Sequence, residues 1–503
     1  MNHLRPLDNP ADIDYKEEVA QLENKAYVES DPRLAGLADE LAWAHGLSEE
    51  ELAAESKKLL RKVDWRLMPT LFILIVLNYL DRNALAAARV QGIEADLGMT
   101  GNDFNVAISV LFVGYILGQI PSNYILSRSR PSLYLSFWVV VWGAVSTCTA
   151  AARNFSSLVV IRFFLGFCEA PYFPGALFLL SSWYNKKELA FRMAFLWSGS
   201  LLSGAFSGFI SAGIQAGMQG TLGLSAWRWM FIIEGAVTIV FGAAAVFVLP
   251  DYPSTTRWLT PRERALAVYR LQADAGEADE EQIGFFRALK LAVSDYKLWL
   301  LALIQVTKTT AAAVTQFIPT VVNTFGMSKV NTLLLTAPPY LFAAILAFFI
   351  SYSSDRKPER AFHLAIPIMV AAVGNVVAAT TTTIAARYTA LFLLLGGIYG
   401  SFNVCNAWTS SMFARPRAKR AMAYATINSI SNMAQVWTPY MYDSKYSPQY
   451  TIAFSVNVVM CCIAVCTTFL VRWILARANR KMDKDEAEGA DQEGFVKKIR
   501  YTL

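Results

Sequence analysis

The stretch Leu158–Ser181, LVVIRFFLGFCEAPYFPGALFLLS, decides the fold. A helix needs about 20 predominantly apolar residues to cross a hydrocarbon core, and this run meets that length. Two charges nevertheless sit inside it, Arg162 and Glu169. Their seven-residue spacing is close to two helical turns, so both side chains project from one face of the helix. An arginine near the bilayer centre costs about 2.5–3.5 kcal/mol even on the lenient insertion scale, so such a residue faces a water-filled pathway or a partner. The segment is therefore read as a membrane helix with one functional face.

Outward from it the chain repeats the pattern. Further apolar windows lie near 67–86, 104–126, 133–152, 193–215, 228–249, 298–323, 333–352, 364–386, 388–413, 421–442 and 450–474, with the opening segment itself at 157–182. The expectation is an all-α polytopic membrane protein of about a dozen spans. A composition of 55% hydrophobic and only 17% charged residues agrees. The expected divisions are a tail at 1–65, a six-helix bundle at 66–249, a central loop at 250–297, a second six-helix bundle at 298–475 and a tail at 476–503. Ser48–Arg66 opens SEEEL and continues with KKLLRK, which reads as an amphipathic helix leading into the first span.

Lysine and arginine collect in alternate loops: Arg128 and Arg130; Lys186, Lys187 and Arg192; Arg356, Lys357 and Arg360; Arg415, Arg417, Lys419 and Arg420; and Arg477, Arg480 and Lys481. The first intervening loop is acidic, with Glu94, Asp96 and Asp103. By the positive-inside rule the basic loops and both termini are expected in the cytoplasm. The net charge of +6 is then a matter of topology, and no nucleic-acid partner is expected. Residues 1–65 lack the short apolar core of a signal peptide, so the first span is expected to act as an uncleaved start signal.

Several chemistries find no residues to carry them. Cys148, Cys168, Cys405, Cys461, Cys462 and Cys466 lie in or beside apolar spans without metal-ligand spacing, and read as packing residues. His3, His45 and His363 lie in the tail or at a span edge, which leaves carboxylates for any proton relay. No P-loop, HExxH or Ser-His-Asp set is present, so neither an enzyme nor an ATP-driven pump is expected, and neither a metal nor a cofactor.

The basic loop region in GQIPSNYILSRSRP has a counterpart in ISYSSDRKPER at the equivalent place in the second half, an arrangement like the parallel halves of the major facilitator fold. In order along residues 61–263, the motifs RKVDWRLMP, LNYLDRNALAAARV, QIPSNYILSRSRPSLYL, RFFLGFCEAPYFPG, SSWYNKKELAFR, AWRWMFIIEG and DYPSTTRWLTPRE resemble the fungal allantoate, nicotinate and vitamin permease group of the anion:cation symporter family. The likeness continues more weakly to about residue 475. It implies two six-helix halves and import of a small organic anion by alternating access, driven by a proton gradient across the fungal plasma membrane, by a monomer whose partners are substrate, protons and lipid. An exporter of a fungal metabolite and a non-transporting nutrient sensor are the alternatives.

In related anion symporters an Asp-Arg pair lies on the first helix, here Asp81 and Arg82, and an Arg and Glu spaced by seven on the fourth, here Arg162 and Glu169. The resemblance implies proton coupling for Asp81 and Glu169 and anion binding for Arg82 and Arg162. Elementary chemistry divides the roles the same way, because a guanidinium stays charged and offers a bidentate fork while a buried carboxylate can switch. Structural ion pairing is the alternative for each. Glu234 reads as a helix-anchoring partner. Lys308, about ten residues into the seventh span, is expected to face the cavity, its alternative being a structural acid on a neighbouring helix. Asn403 and Asn406 on the tenth span, and Asn428, Asn432 and Gln435 on the eleventh, are expected to meet hydroxyl, amide or ureido groups of a substrate or to bond between helices. Asp355 and Arg356 read as a gating loop, whereas the first half has Ser127 where the superfamily often has aspartate. Gly114 with Gly118, Gly204 with Gly208, and Gly396 with Gly400 read as close helix contacts. Asn154-Phe-Ser is a formal glycosylation sequon on a loop too short to favour modification.

Overall fold

A computed structural model describes residues 37–126, 129–276, 285–357, 359–413, 417–489 and 502. Among these the regular elements are all helices. The first long one, α1 (Glu49–Gln91), has 43 residues and joins the amphipathic lead-in to the first span without a break. Ser48 starts it with a capping box: its hydroxyl accepts from the Glu51 amide, and the Glu51 carboxylate accepts from the Ser48 amide at 3.1 Å. Gly92 ends it at φ 112°, a left-handed conformation that glycine adopts without a side-chain penalty.

The first half continues with α2 (Asp103–Leu126), α3 (Pro131–Cys148), α4 (Phe155–Glu169), α5 (Tyr172–Ser181), α6 (Lys186–Met218) and α7 (Ala226–Val248). Helices α4 and α5 form one span, interrupted at Ala170–Pro171, so Glu169 is the last residue before the break. Asn154 of the formal sequon is the N-cap of α4, accepting from the Ser157 amide at 2.9 Å. Linker helices α8 (Pro261–Gly276) and α9 (Phe285–Val293) lead to the second half: α10 (Tyr296–Ala312), α11 (Ile318–Asn323), α12 (Lys329–Leu334), α13 (Ala337–Arg356), α14 (Ala361–Thr380), α15 (Ile384–Gly400), α16 (Phe402–Met412), α17 (Arg417–Trp437) and α18 (Thr451–Gly489). The last helix runs past residue 475, where the sequence reading placed the start of the tail.

Ten helical segments among the described residues are long and apolar enough to cross a membrane. The second and eleventh places in the expected twelve are taken by α2 and α17, which pack on each other across the two halves. The polar groups that dilute the apolar signal of α17 include Asn428, Ser429, Ser431, Asn432 and Gln435. Helix α2 ends at Leu126, where its apolar window ends, so much of the first basic motif is helical; in the second half α13 runs past its window at 352 to Arg356, because a run of Ser does not end a well-packed membrane helix. Ser127 lies outside the described residues. Asp355 is exposed and pairs with Arg360 at 2.8 Å, while Arg356 lies over the Tyr352 ring.

Small residues set the helix spacing. A Cβ on Gly114 would overlap the Phe163 carbonyl, and one on Gly166 the Leu111 carbonyl, so α2 and α4 meet backbone to backbone. Gly204 and Gly208 of α6 receive Tyr340 and Thr336 from the second half. Further cross-half contacts, Arg89 to the Ser444 hydroxyl at 2.8 Å and Lys329 to the Gln91 carbonyl at 3.2 Å, lie at the end of the bundle away from the linker.

At the linker end, several of the quoted motifs meet. Asp64 accepts from Arg192 at 2.7 and 2.6 Å and from the Tyr184 hydroxyl at 2.7 Å. Glu188 pairs with Arg270, Lys62 with Glu263 at 2.7 Å, and Arg66 lies over Trp258, which stacks on Trp183. The linker is thereby fastened to α1 and to the start of α6.

Candidate functional site

Adjacent residues on a helix point about 100° apart, and α1 uses that angle to serve two neighbours from one place. Asp81, fully buried, turns towards α3, where the Trp142 indole donates at 3.0 Å and the Ser146 hydroxyl at 2.7 Å. Arg82 turns towards α4 and donates from Nε to Glu169 at 2.7 Å. Its guanidinium also lies 4.6 Å from the Tyr115 ring centroid and 5.3 Å from that of Tyr79. Arg82 keeps 15% of its side chain exposed whereas Glu169 keeps none.

Arg162 is the unusual member. It is 2% exposed, yet its Nε and Nη1 have no hydrogen-bond partner among the described residues. Asp81, Arg82 and Glu169 all lie within electrostatic reach of it. The structure thus gathers Asp81, Arg82, Arg162 and Glu169 into one buried cluster, with two arginine donors left over. An unbonded, desolvated guanidinium is costly unless a ligand meets it, and a planar fork suits a carboxylate.

The second half contributes differently. Lys308 is 4% exposed and, among the described residues, Cys405 and no carboxylate lies within its electrostatic reach, so the structural-acid alternative finds no partner here. Its Nζ donates to the Ser401 carbonyl at 3.2 Å, at the α15–α16 break, and lies 5.4 Å from the Phe402 ring centroid. Asn403 donates to the Ser351 hydroxyl at 3.3 Å, and the Asn406 carbonyl accepts from Tyr424 at 2.5 Å. Gln435 accepts from Gln316 at 2.9 Å. Asn428 is exposed and Asn432 half-buried, one turn apart on the same helix. Asp355 and Arg356 lie at the far end of α13, separate from both groups.

Two features had no signal in the sequence. Trp142 and Ser146, which hold Asp81, sit in an unremarkable apolar run of α3. Trp197 of α6 stacks on Phe402 at 4.6 Å and meets Tyr79 edge-on, so an aromatic bridge links the two halves between Arg82 and Lys308.

Residues 71–439 match the family model described as Major Facilitator Superfamily. The MFS-type transporter cnsO of Penicillium expansum is 31% identical over 442 residues, 85% of each chain. A protein of Agrobacterium vitis named for tartrate transport is 30% identical over 387 residues, 76% of this chain and 84% of that one. Among solved structures, that of a D-xylose–proton symporter aligns with a TM-score of 0.63 at 15% identity, over 81% of this chain and 97% of the other.

Proposed function

The chain belongs to the Major Facilitator Superfamily, a multi-pass membrane transporter family, and from that premise we propose that it is a proton-coupled symporter importing a small organic carboxylate. The observation that carries the reading is Arg162: a buried guanidinium with unpaired donors beside an Arg82–Glu169 ion pair. A substrate carboxylate satisfies those donors. The Agrobacterium vitis relative, named for a small dicarboxylate, supports the same substrate class.

Coupling follows from competition for Arg82. While Glu169 is ionised it occupies Arg82; a proton on Glu169 removes the charge that holds the pair and frees the guanidinium for the anion. Proton and anion then load together, and each favours the other through a shared residue. Lys308 adds attraction from the second half, and Asn403, Asn406, Asn428 and Asn432 supply neutral hydrogen-bonding groups there. Asp355 and Arg356 act as a gate at one end of the bundle. Both termini lie in the cytoplasm and the protein works in the plasma membrane, with the proton gradient as its energy source.

The test is uptake into proteoliposomes holding the purified chain, with labelled small carboxylates including tartrate and an acidic exterior. Accumulation is expected for at least one acid and is abolished by a protonophore. Uptake that ignores both the protonophore and external pH would overturn proton coupling, and flux running only outward would replace import by export.

A further inference from the structure

Glu234 takes no part in the site above. It lies on α7, 3% exposed, and neither carboxylate oxygen has a hydrogen-bond partner. Its motif reads as a helix anchor, but among the described residues no donor meets its carboxylate. Packed against α7 are α3, α1, α6 and the turn at Thr149–Ala151. Helix α3 has no Asp, Glu, Lys or Arg, and its titratable groups are Tyr134 and Cys148. The charges of α6, Lys186, Lys187, Glu188 and Arg192, fall in its first two turns. The turn has none, and Arg228 of α7 itself donates to the Ala150 carbonyl. The membrane part of α1 brings Tyr79, Asp81, Arg82 and Arg89, its other charges lying on the lead-in before the span. Of all these, Asp81 is the charge within electrostatic reach of Glu234.

The two carboxyl groups are differently served. Both Asp81 oxygens accept hydrogen bonds, from Trp142 and Ser146, which is how a carboxylate rather than an acid is held. Among the described residues Glu234 has no hydrogen-bond donor, and Asp81, not a cation, is the charge that acts on it. An ionised carboxylate in apolar surroundings without either carries a prohibitive desolvation cost, and a negative neighbour adds repulsion. A proton on Glu234 removes both terms.

We propose that Asp81 and Glu234 form a buried pair that holds one proton, on Glu234 while Asp81 is ionised, as a proton site additional to Glu169. Its use in transport rests on the symport reading, whereas the presence of the proton does not. The charge of Asp81 acts on Glu234, so removing it shifts the Glu234 titration.

Infrared spectroscopy of the full chain in lipid nanodiscs, without substrate or gradient, reads the pair directly through the carbonyl stretch of protonated carboxyl groups. At neutral pH the wild-type minus Glu234→Gln difference is expected to show the loss of one such band. In Asp81→Asn, with the negative neighbour gone, the Glu234 band is expected to titrate away at lower pH than in the wild type. No lost band in Glu234→Gln, or a Glu234 titration unchanged by Asp81→Asn, would overturn the proposal. Should Glu234→Gln not fold, Glu234→Asp retains a carboxyl group and must move the band in frequency; an unchanged spectrum there overturns it equally. Protonophore-insensitive uptake with the band intact would remove symport and leave the pair standing, while a missing band with proton-driven uptake would do the reverse.

Discussion

In the first half of the bundle, Arg82 binds Glu169 at 2.7 Å and Asp81 is held by two donors beside Arg162; in the second, Lys308 meets the Ser401 carbonyl and the Phe402 ring and pairs with no carboxylate among the described residues. The halves share a fold of six helices yet divide the chemistry. Groups able to take and release a proton sit next to groups able to hold an anion in the first half, where one event can alter the other. Among the described residues the second half offers a cation without a carboxylate beside it, so it can attract a substrate carboxylate but has no carboxylate of its own to compete for that cation. Where coupling is concerned, the comparison predicts strong effects from the first half and graded ones from the second.

The largest effect is expected at Glu169. Glu169→Gln fixes a neutral side chain, so accumulation driven by a pH gradient is lost, while exchange of internal for external substrate, which needs no net proton release, survives in part. Counterflow in proteoliposomes separates the two. A Glu169→Gln protein that still concentrates substrate on a pH gradient would move the coupling site elsewhere and break the contrast between the halves. Asp81→Asn is expected to impair accumulation similarly if Asp81 exchanges protons, and to act on affinity instead if it only positions Arg82.

Next comes Arg162→Lys, which keeps the charge and loses the planar fork. Charge-assisted hydrogen bonds are worth about 1.5–3 kcal/mol, so affinity for the anion should fall about ten- to a hundredfold with normal membrane expression. Wild-type affinity would make Arg162 a structural residue. Lys308→Met sharpens the contrast from the other side. A unit charge about 10 Å from the anion at an effective dielectric of about 20 supplies about 1.7 kcal/mol as an upper figure, so a loss of about twentyfold or less in affinity, with the pH dependence unchanged, is expected. A changed pH profile in that variant would mean that the second half also takes part in coupling.

Much of this was legible in the residues, for physical reasons that also explain what was not. Arg162 and Glu169 stand out because charge inside an apolar run is costly, and Pro171 stands at the break that follows Glu169. That Arg82, and not Arg162, would pair with Glu169 depends on how α1 and α4 are rotated, which no local pattern records. The motif around Glu234 suggests an anchor, but it gives spacing along one helix and not the partner across it, and among the described residues no donor meets the carboxylate. The amides of α17 were visible; that they spoil the apolar signal of a helix paired with α2 across the halves required the packing.

The smallest effect is expected at the linker end, where charges meet water rather than lipid. Lys62 and Glu263 join α1 to α8 at 2.7 Å with 37% and 28% of their side chains exposed, so the pair contributes at most about 1 kcal/mol. Partial burial tends to raise the Glu263 carboxyl, but hydrogen bonds from Lys62 and from the Thr260 amide outweigh it and hold the group below its ordinary value. A folded value below the unfolded one means that the stabilisation is complete above the unfolded range, near about 4.3, and fades as pH falls through the folded value. Thermal unfolding in detergent should therefore show the wild type slightly more stable than Glu263→Gln at neutral pH, by a few degrees at most, with the two curves converging in acid. A gap that persists in acid would assign the contribution to packing of the side chain rather than to its charge. Transport separates this clasp from the membrane cluster: Lys62→Met should leave substrate affinity and its pH dependence unchanged, and a loss as large as that of Arg162→Lys would show that the linker charges act on the site itself.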